Sequence, residues 1–501
     1  MLAELLASIL ALLLFREFYW KRRGLPPGPL PIPLIGNMLS IACNYPGTSL
    51  YQQWKNAYGS IYTYWMGYWP IVTVNDYETM HQMFVSNGDN YIDRASLGNI
   101  TTEYRGGEYG IIEANGNTWR EQRRFALHTL RDFGMGKAAM EHRLMVELEW
   151  ILNTMERESS EKGSTSPMKY MDRTVESGIN DMIFGYRFDD EHFEDFNKIR
   201  KMMEDQQKAQ SNPALIAAFF SNTLRTYIPY LRRQYEHAMG LREELFGFFQ
   251  KKIDQHRATI DYDSEESSDF CEAYLKEIRK REKDPESTFN DKQLVNVVLD
   301  LCMAGLESTS ATMSWGMCLI LNYPQVQSTM HDELARVLGN ESTVALKDRP
   351  SLPYCQAVIN EVQRWANVVP QNLLRKTSKD DFANGVHIKA GTFVAPQISM
   401  LLHDPKEFPS PETFDPTRFL DDEGKLVHRT HFLPFSVGRR QCPGEGLAKT
   451  ELFLFFTNLI HRYQISPVDA AKSPSLQRKM TSGVKPLEFE CVVNKRHPRS
   501  T

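Results

Sequence analysis

The sequence predicts one large, mainly α domain with a small β region, carried behind a short N-terminal membrane-anchor helix. Three observations lead there. Apolar residues recur at helical spacing through most of the chain. β-branched and aromatic runs of strand character are confined to Ile61–Trp65 and Ile71–Val74. The first apolar run ends in an aromatic pair and a basic cluster. Of 501 residues, 42% are hydrophobic and 24% charged, a globular composition that excludes disordered and collagen-like chains. A net charge of -5 gives no whole-protein attraction to nucleic acid, so no such partner is expected.

The elements follow in order. Leu5 to Phe15 is a leucine- and alanine-rich run interrupted by Ser8, followed by Arg16, Glu17, Tyr19, Trp20 and Lys21-Arg22-Arg23. A full span takes roughly 20 apolar residues, so the run is short and a cleaved signal peptide is the alternative reading. No basic residue precedes it and no small-x-small site is followed by a polar stretch, which favours a retained anchor over residues 1–20. The basic cluster lies after the run, so the bulk of the chain is expected on the cytosolic side. Pro26-Pro27-Gly28-Pro29, Pro31 and Pro33 make residues 21–33 a basic, proline-rich hinge, because proline fixes φ and forbids helix. Residues 34–501 are read as the catalytic domain. Sequons at Asn99 and Asn340 are expected to go unused on the cytosolic side. Seven cysteines, odd in number and scattered from 43 to 491, argue against a disulfide framework and for a reducing compartment.

Helical patterns cover about 117–130, 137–160, 170–185, 233–258, 268–282, 291–322, 324–338, 352–366 and 446–462, and a proline-studded stretch over about 367–440 is mostly non-helical. Polar loops at 156–167 and 261–268 do not amount to a linker, and no internal repeat is present. Ala214 to Tyr230 carries an apolar run and Tyr227-Ile228-Pro229-Tyr230. That reads as a packed helix pair.

The strongest chemical signal is Phe435-Ser-Val-Gly438-Arg-Arg440-Gln-Cys442-Pro-Gly444. A cysteine in a loop of little bulk, just before a helix, is approached by backbone N–H groups that stabilise a thiolate. A thiolate is a haem-iron ligand suited to oxygen activation. A buried structural cysteine is the ordinary alternative, but it leaves the flanking residues unexplained. The pattern closely resembles the haem-ligand loop of the cytochrome P450 superfamily, most like its microsomal family 2 type, and the resemblance runs from about Pro26 to the end. Glu361-Val-Gln-Arg364 matches that family's Glu-x-x-Arg helix motif, with both side chains on one face. Arg418 in Pro416-Thr-Arg418-Phe419 matches the third member of the same ion-pair cluster, which holds the fold and does not react.

The resemblance implies the P450 architecture, haem b with Cys442 as axial ligand, and insertion of one atom of O₂ into lipophilic substrates: xenobiotics, fatty acids or steroids. No dinucleotide fingerprint occurs, and Gly444-Glu-Gly446-Leu-Ala-Lys449 belongs to the cysteine motif rather than to a nucleotide loop. No His-x-x-x-His pair offers a metalloprotease site. NADPH is therefore expected to act only indirectly, through a flavoprotein reductase with cytochrome b5 as a further donor, on the cytosolic face of the endoplasmic reticulum. Arg120, Arg124, Arg131, Arg439 and Lys449 are candidates for a basic docking face. Asn290 reads as N-cap of a long helix with Gln293 at N3. Mid-helix, Ala304-Gly305-Leu306-Glu307-Ser308-Thr309 resembles the oxygen-activating motif, in which an acid and an alcohol deliver protons. Ser308 keeps the hydroxyl but lacks the methyl group of the threonine usual there. Glu307 has no opposite charge at i±3 or i±4, and an exposed glutamate is the plain alternative.

By the same resemblance Trp119, Arg123 and Arg440, with Arg94 as a further candidate, contact the haem propionates, and Phe435 opens the ligand loop. Relatives often carry histidine where Gln371 stands, so that contact is expected to differ. Met303, Ala304, Val368, Val369 and Leu373 are candidate pocket residues. A haem-thiolate isomerase or dehydratase, and a haem- or lipid-binding protein without turnover, are the other function classes. The Glu307-Ser308 pair speaks against the isomerase or dehydratase, and a binding protein would not need it.

Overall fold

The computed structural model describes residues 2–44, 48–96, 99–133, 138–189, 191–339, 343–480 and 483–496; the sequon at Asn340 lies outside them. The mainly α class with a small β region is observed. The chain forms two compact units. The first comprises residues 1–95, 369–412 and 430–442, and the second 96–368, 413–429 and 443–501.

The first unit is built on a five-stranded sheet. Its strands are β1 (Ile61–Met66), β2 (Trp69–Val74), β3 (Asp93–Arg94), β4 (Arg375–Lys376) and β5 (Phe393–Pro396), in the order β1-β2-β5-β4-β3. β1 and β2 form an antiparallel hairpin over both predicted strand runs, and β2 pairs parallel with β5. β4 runs antiparallel to both β5 and β3, placing Arg94 directly opposite Arg375. Ile61, Val72, Val74, Met80, Met83, Phe84, Val394 and Leu401 make its core. The helix α1 (Leu2–Phe18) has 17 residues, about 25 Å at 1.5 Å per residue. A short 3-10 turn, Trp20–Arg22, ends it. The proline hinge does not hang free. The Thr63 N–H donates to Pro27 O at 3.0 Å, Asn37 N–H to Trp65 O at 2.8 Å and Gly67 N–H to Ile35 O at 3.2 Å, so this stretch lines the outer edge of β1.

The second unit is helical. Its main elements are α2 (Gly116–Asp132), α3 (Ala138–Lys162), α4 (Met168–Phe184), α5 (Phe193–Gln210), α6 (Pro229–Thr259), α7 (Phe270–Lys280), α8 (Asp291–Asn322), α9 (Pro324–Leu338), α10 (Pro353–Ala366) and α11 (Glu445–Arg462). α8 is the central rod and packs against α4, α6, α10 and α11. Among the described residues it is also the helix long and apolar enough to cross a membrane, but it is mostly buried within its unit, as a core helix is. Its start is capped as expected: the Asn290 side chain accepts from Gln293 N–H at 3.0 Å. The return half of the expected box is missing, because the Gln293 amide is engaged with Gly110 on both sides. α5 escapes the sequence reading. Its buried stripe Phe196, Ile199, Met202, Met203 and Gln206 has helical spacing, but charged and amide residues fill the rest and mask it.

The ion-pair cluster predicted at 361, 364 and 418 forms within this unit. Arg364 donates to the Glu361 carboxylate through Nε at 2.6 Å and an Nη at 2.8 Å, with both side chains wholly buried. Arg418, from the 3-10 turn Pro416–Phe419, reaches the same carboxylate at 3.5 Å, and Asp415 N–H donates to it at 3.0 Å. Burial raises the Glu361 carboxyl, and Arg364 first among the cations opposes the shift. Removing one member of a buried pair strands the other at a cost of about 3–5 kcal/mol. Arg364→Met is therefore expected to lower the thermal midpoint well beyond Arg418→Met, whose contact is longer. Parallel melting curves check the order.

Candidate functional site

In the first unit the loop from Phe435 to Cys442 folds back on itself. Cys442 N–H donates to Phe435 O at 3.0 Å, and Gln441 N–H to Gly438 O at 2.9 Å. Gly438 has φ 79°, and a Cβ there would stand 1.9 Å from Phe84 O, so only glycine fits. Arg440 is buried, and its Nε donates to Ile92 O at 2.5 Å. Cys442 lies three residues before α11 in the chain. Burial raises the thiols of Cys271, Cys302, Cys318, Cys355 and Cys491 and keeps them protonated. Cys43 and Cys442 are the exposed cysteines, and Cys442 has the ligand-loop context.

Arg375 on β4 escapes the sequence reading. Its guanidinium is 1% exposed and lies 4.2 Å from the Phe84 ring centroid. One Nη donates to Val437 O at 3.0 Å and to Ser436 Oγ at 3.3 Å, while its Nε is buried without a hydrogen-bond partner. Arg94, opposite it in the sheet, is also buried and donates to Leu373 O at 3.1 Å. Burial first, then the positive Arg94, pull Arg375 down to about 9. Among the described residues no carboxylate pairs with Arg375. A buried, unneutralised guanidinium beside a cysteine loop fits the haem that the loop implies: a thiol for iron and buried cations for carboxylates. At Gln371, where the contact is expected to differ, the side-chain amide donates to the Tyr64 hydroxyl at 2.6 Å. Two-residue strands carry no periodic signal, so the Arg94–Arg375 pairing was not legible.

In the second unit, α8 carries the predicted acid–alcohol pair. Glu307 is half-buried. One carboxylate oxygen accepts from the Gln207 amide of α5, and the other is buried with no hydrogen-bond partner among the described residues. The Ser308 hydroxyl donates to Ala304 O at 2.9 Å, the back-bonding habit of serine within helices. Among the described residues no hydrogen bond joins Glu307 to Ser308. Thr309 is buried and hydrogen-bonds the Glu451 carboxyl of α11. Burial pushes Glu451 up to about 8. A cavity of about 20 Å³ borders Glu451, Glu147 and Thr174, room for one water. Glu451 was missed, although an acid inside Glu451-Leu-Phe-Leu-Phe-Phe was a visible cue.

The remaining expected residues divide between the units. On α2, Trp119 is buried and the Arg123 guanidinium sits 5.8 Å from its ring centroid. Met303 is half-buried and Ala304 exposed on α8, and Val368 is half-buried, its carbonyl accepting from Val484 N–H at 3.0 Å. Val369 and Leu373, in the first unit, are exposed. Of the basic residues, Arg120, Arg124 and Arg131 are exposed along α2, whereas Arg439 pairs with Asp89 and Lys449 with Glu445. In the 214–230 stretch Leu215, Ala218 and Phe219 are buried, as a packed helix pair requires, while Leu224, Tyr227, Ile228 and Tyr230 are exposed.

The raised Glu451 carboxyl has a pH signature. The folded protein keeps a proton that the unfolded chain loses above its ordinary 4.5. Stability therefore falls as pH rises from there through about 8. Glu451→Gln has no such contribution, so its melting temperature is expected to gain on that of the parent between about pH 5.5 and 8.5.

Comparison with known proteins gives the family. The cytochrome P450 family profile matches residues 26–492. Cytochrome P450 2A9 of Mesocricetus auratus is 34% identical over 494 residues, covering 98% of this chain and 97% of the relative. Cytochrome P450 2G1 of Rattus norvegicus is 35% identical over 453 residues, 89% of each chain. Cytochrome P450 2A6 of Homo sapiens is 32% identical over 463 residues, 91% of this chain and 92% of the relative. With a ligand-loop cysteine in one unit and an acid-bearing buried helix in the other, the chain belongs to the cytochrome P450 family and is a haem-iron monooxygenase.

Proposed function

We propose that the protein oxidises lipophilic small molecules (xenobiotics, fatty acids or steroids) at the cytosolic face of the endoplasmic reticulum. Electrons come from NADPH through a flavoprotein reductase, with cytochrome b5 as a further donor. Residues 1–20 are the anchor, 21–33 the hinge and 34–501 the catalytic domain. Exposed Leu5, Leu12, Leu14 and Phe15 on α1, followed by Trp20 and the basic cluster, support the anchor.

The observation that carries the reading is the Cys442 loop with buried Arg440, Arg375 and Arg94 in the same unit. Haem b, when bound through the Cys442 thiolate, supplies the activation of O₂ that puts one oxygen atom into substrate and releases the other as water. Arg440, Arg94 and Arg375, with Trp119 and Arg123, hold its carboxylates by charge-assisted hydrogen bonds. Phe435 O fixes the amide of Cys442 and thereby aims the sulfur. The free carboxylate oxygen of Glu307 receives protons, and the Ser308 hydroxyl passes them on after rotating away from Ala304 O. Thr309, bonded to Glu451, holds a second proton store one residue along. Met303, Ala304, Val368, Val369 and Leu373 exclude water and orient the apolar substrate. Glu361, Arg364 and Arg418 hold the fold and stay out of the chemistry.

Reduced holoprotein is expected to give the family's carbon-monoxide difference band, and Cys442→His to lose it. Arg375→Leu is expected to lower the haem-to-protein ratio after gel filtration. With reductase, NADPH and a substrate found by type I spectral titration, Glu307→Gln is expected to reduce turnover about a hundredfold with the spectral Kd within about twofold. Unchanged turnover in Glu307→Gln would remove that residue from the proton path.

A further inference from the structure

Tyr91 closes the 3-10 turn Gly88–Tyr91 and leads through Ile92 into β3. Its side chain is wholly buried, yet its hydroxyl donates to Asp381 Oδ2 at 2.6 Å, the short bond of a phenol to an ionised carboxylate. Asp381 opens the strand Asp381–Ala383, which pairs antiparallel with Val386–Ile388. Its other oxygen accepts from Phe382 N–H at 2.8 Å, and among the described residues no cation pairs with it. The two partners are far apart in sequence, and Asn90 holds them in register. The Asn90 side-chain oxygen accepts from Ser378 N–H at 3.0 Å and Lys379 N–H at 2.6 Å, and its amide donates to Lys379 O at 3.1 Å. Burial first, then the Asp381 bond, push the Tyr91 phenol well above its ordinary 10, so at rest the proton stays on the ring oxygen.

The same ring stands among the groups read as the haem cradle. Its centroid is 5.4 Å from that of Phe84, edge-on at 87°, and the Phe84 ring centroid lies 4.2 Å from the Arg375 guanidinium. The carbonyl of the next residue, Ile92, accepts from Arg440, and Arg94 follows two positions on. Packing accounts for an aromatic ring at 91, but not for a hydroxyl aimed at a carboxylate that has no cation. We propose that Tyr91 is a redox-active residue: it gives one electron to an oxidising equivalent left at the haem when O₂ is consumed without substrate, while Asp381 takes the phenolic proton. The proposal rests on the reading that Arg94, Arg375 and Arg440 hold the haem carboxylates. The phenolic O–H bond breaks, the proton bonds to Asp381 Oδ2, and the ring is left as a neutral phenoxyl radical. Loss of the electron alone would put a cation on a wholly buried ring, at a high desolvation cost. Passing the proton across 2.6 Å avoids that charge. A soluble thiol then returns an electron to the ring, and Asp381 returns the proton. Two such cycles oxidise two thiols to one disulfide. The oxygen atom that met no substrate leaves as water, with the two protons that the thiols give up. The outcome is a thiol-dependent reduction that spares haem and protein.

The test mixes ferric full-length holoenzyme with hydrogen peroxide in the absence of substrate. Freeze-quench electron paramagnetic resonance and the loss of haem absorbance are followed. The parent is expected to give a tyrosyl radical. Tyr91→Phe keeps the ring and is expected to lose most of that signal and to bleach at least about threefold faster. Asp381→Asn keeps a hydrogen-bonding group that cannot take up a proton, and the same two changes are expected there with the melting temperature retained. Glutathione is expected to slow bleaching of the parent at least about twofold and to leave Tyr91→Phe unprotected. Tyr64→Phe is the control, because that hydroxyl meets the Gln371 amide, and both readouts are expected to stay parental. Where Tyr91→Phe gives no carbon-monoxide band, Asp381→Asn carries the same readouts. A parental radical in Tyr91→Phe overturns the assignment, and one in Asp381→Asn overturns the proton step. Parental bleaching in both variants overturns the protective role. Arg375→Leu separates the underlying reading. If its haem content equals that of the parent, the cradle fails; if haem is lost there while Tyr91→Phe keeps the parental radical, the redox role alone fails.

Discussion

A helix of 32 residues buried on nearly all sides cannot carry polar side chains into a core without a partner for each, because an unmet polar group there costs as much as several good apolar contacts. That constraint organises the second unit. Gln293, Asn296 and Asp300 of α8 take their partners from the 105–112 loop, Thr309 takes Glu451 from α11, and Ser310, Thr312 and Ser314 sit buried between them. Each pairing fixes another element against the rod. The helix that bears Glu307 is thereby also the strut to which its surroundings are tied, and among the described residues one oxygen of this half-buried, Gln207-bonded carboxylate has no hydrogen-bond partner.

The first unit meets a different demand. Its strands β3 and β4 bring two buried arginines face to face, an arrangement that repels and that burial makes worse. Among the described residues no carboxylate pairs with Arg375, and a carboxylate-bearing group would offset its charge. The same unit supplies the cysteine on a loop whose course is dictated by the contact between Gly438 and Phe84 O. Cys442 and the buried Arg94, Arg375 and Arg440 thus lie in the first unit, and Glu307 and Thr309 in the second.

What was legible in the chain follows from which features are local. The cysteine loop, the Asn290 cap and most helices are written in contiguous residues, and the observed bounds differ from the expected ones by a few positions. Glu361, Arg364 and Arg418 were legible only through the resemblance of Glu361-Val-Gln-Arg364 and Pro416-Thr-Arg418-Phe419 to the family's motifs, since spacing alone does not pair them across the chain. Arg375, Glu451 and the Asp300 contacts were not found. Each depends on a partner far along the chain: Arg94, Thr309 and the backbone of Ile111 and Ile112. No periodicity within a window reports such pairings. α5 was missed for another reason, since its exposed charge outweighs a five-residue buried stripe. The bond of the Ser308 hydroxyl to Ala304 O is a rotamer choice that sequence does not specify.

The hinge along β1 has a consequence for handling the protein. β1 is an outer strand of its sheet, and an outer strand left bare is a template for intermolecular pairing. Residues 27–37 occupy that edge, with Pro27 O, Ile35 O and Asn37 satisfying the backbone of Thr63, Gly67 and Trp65. The prolines at 26, 27, 29, 31 and 33 offer no N–H outward, so the guard does not become a fresh edge. A form that starts at Gly24 keeps this guard and sheds α1. One that starts at Met38 strips it and exposes Thr63 and Trp65 to edge-to-edge pairing. Association on truncation is thus set by where the cut falls relative to residues 27–37, independently of how much of α1 has been removed.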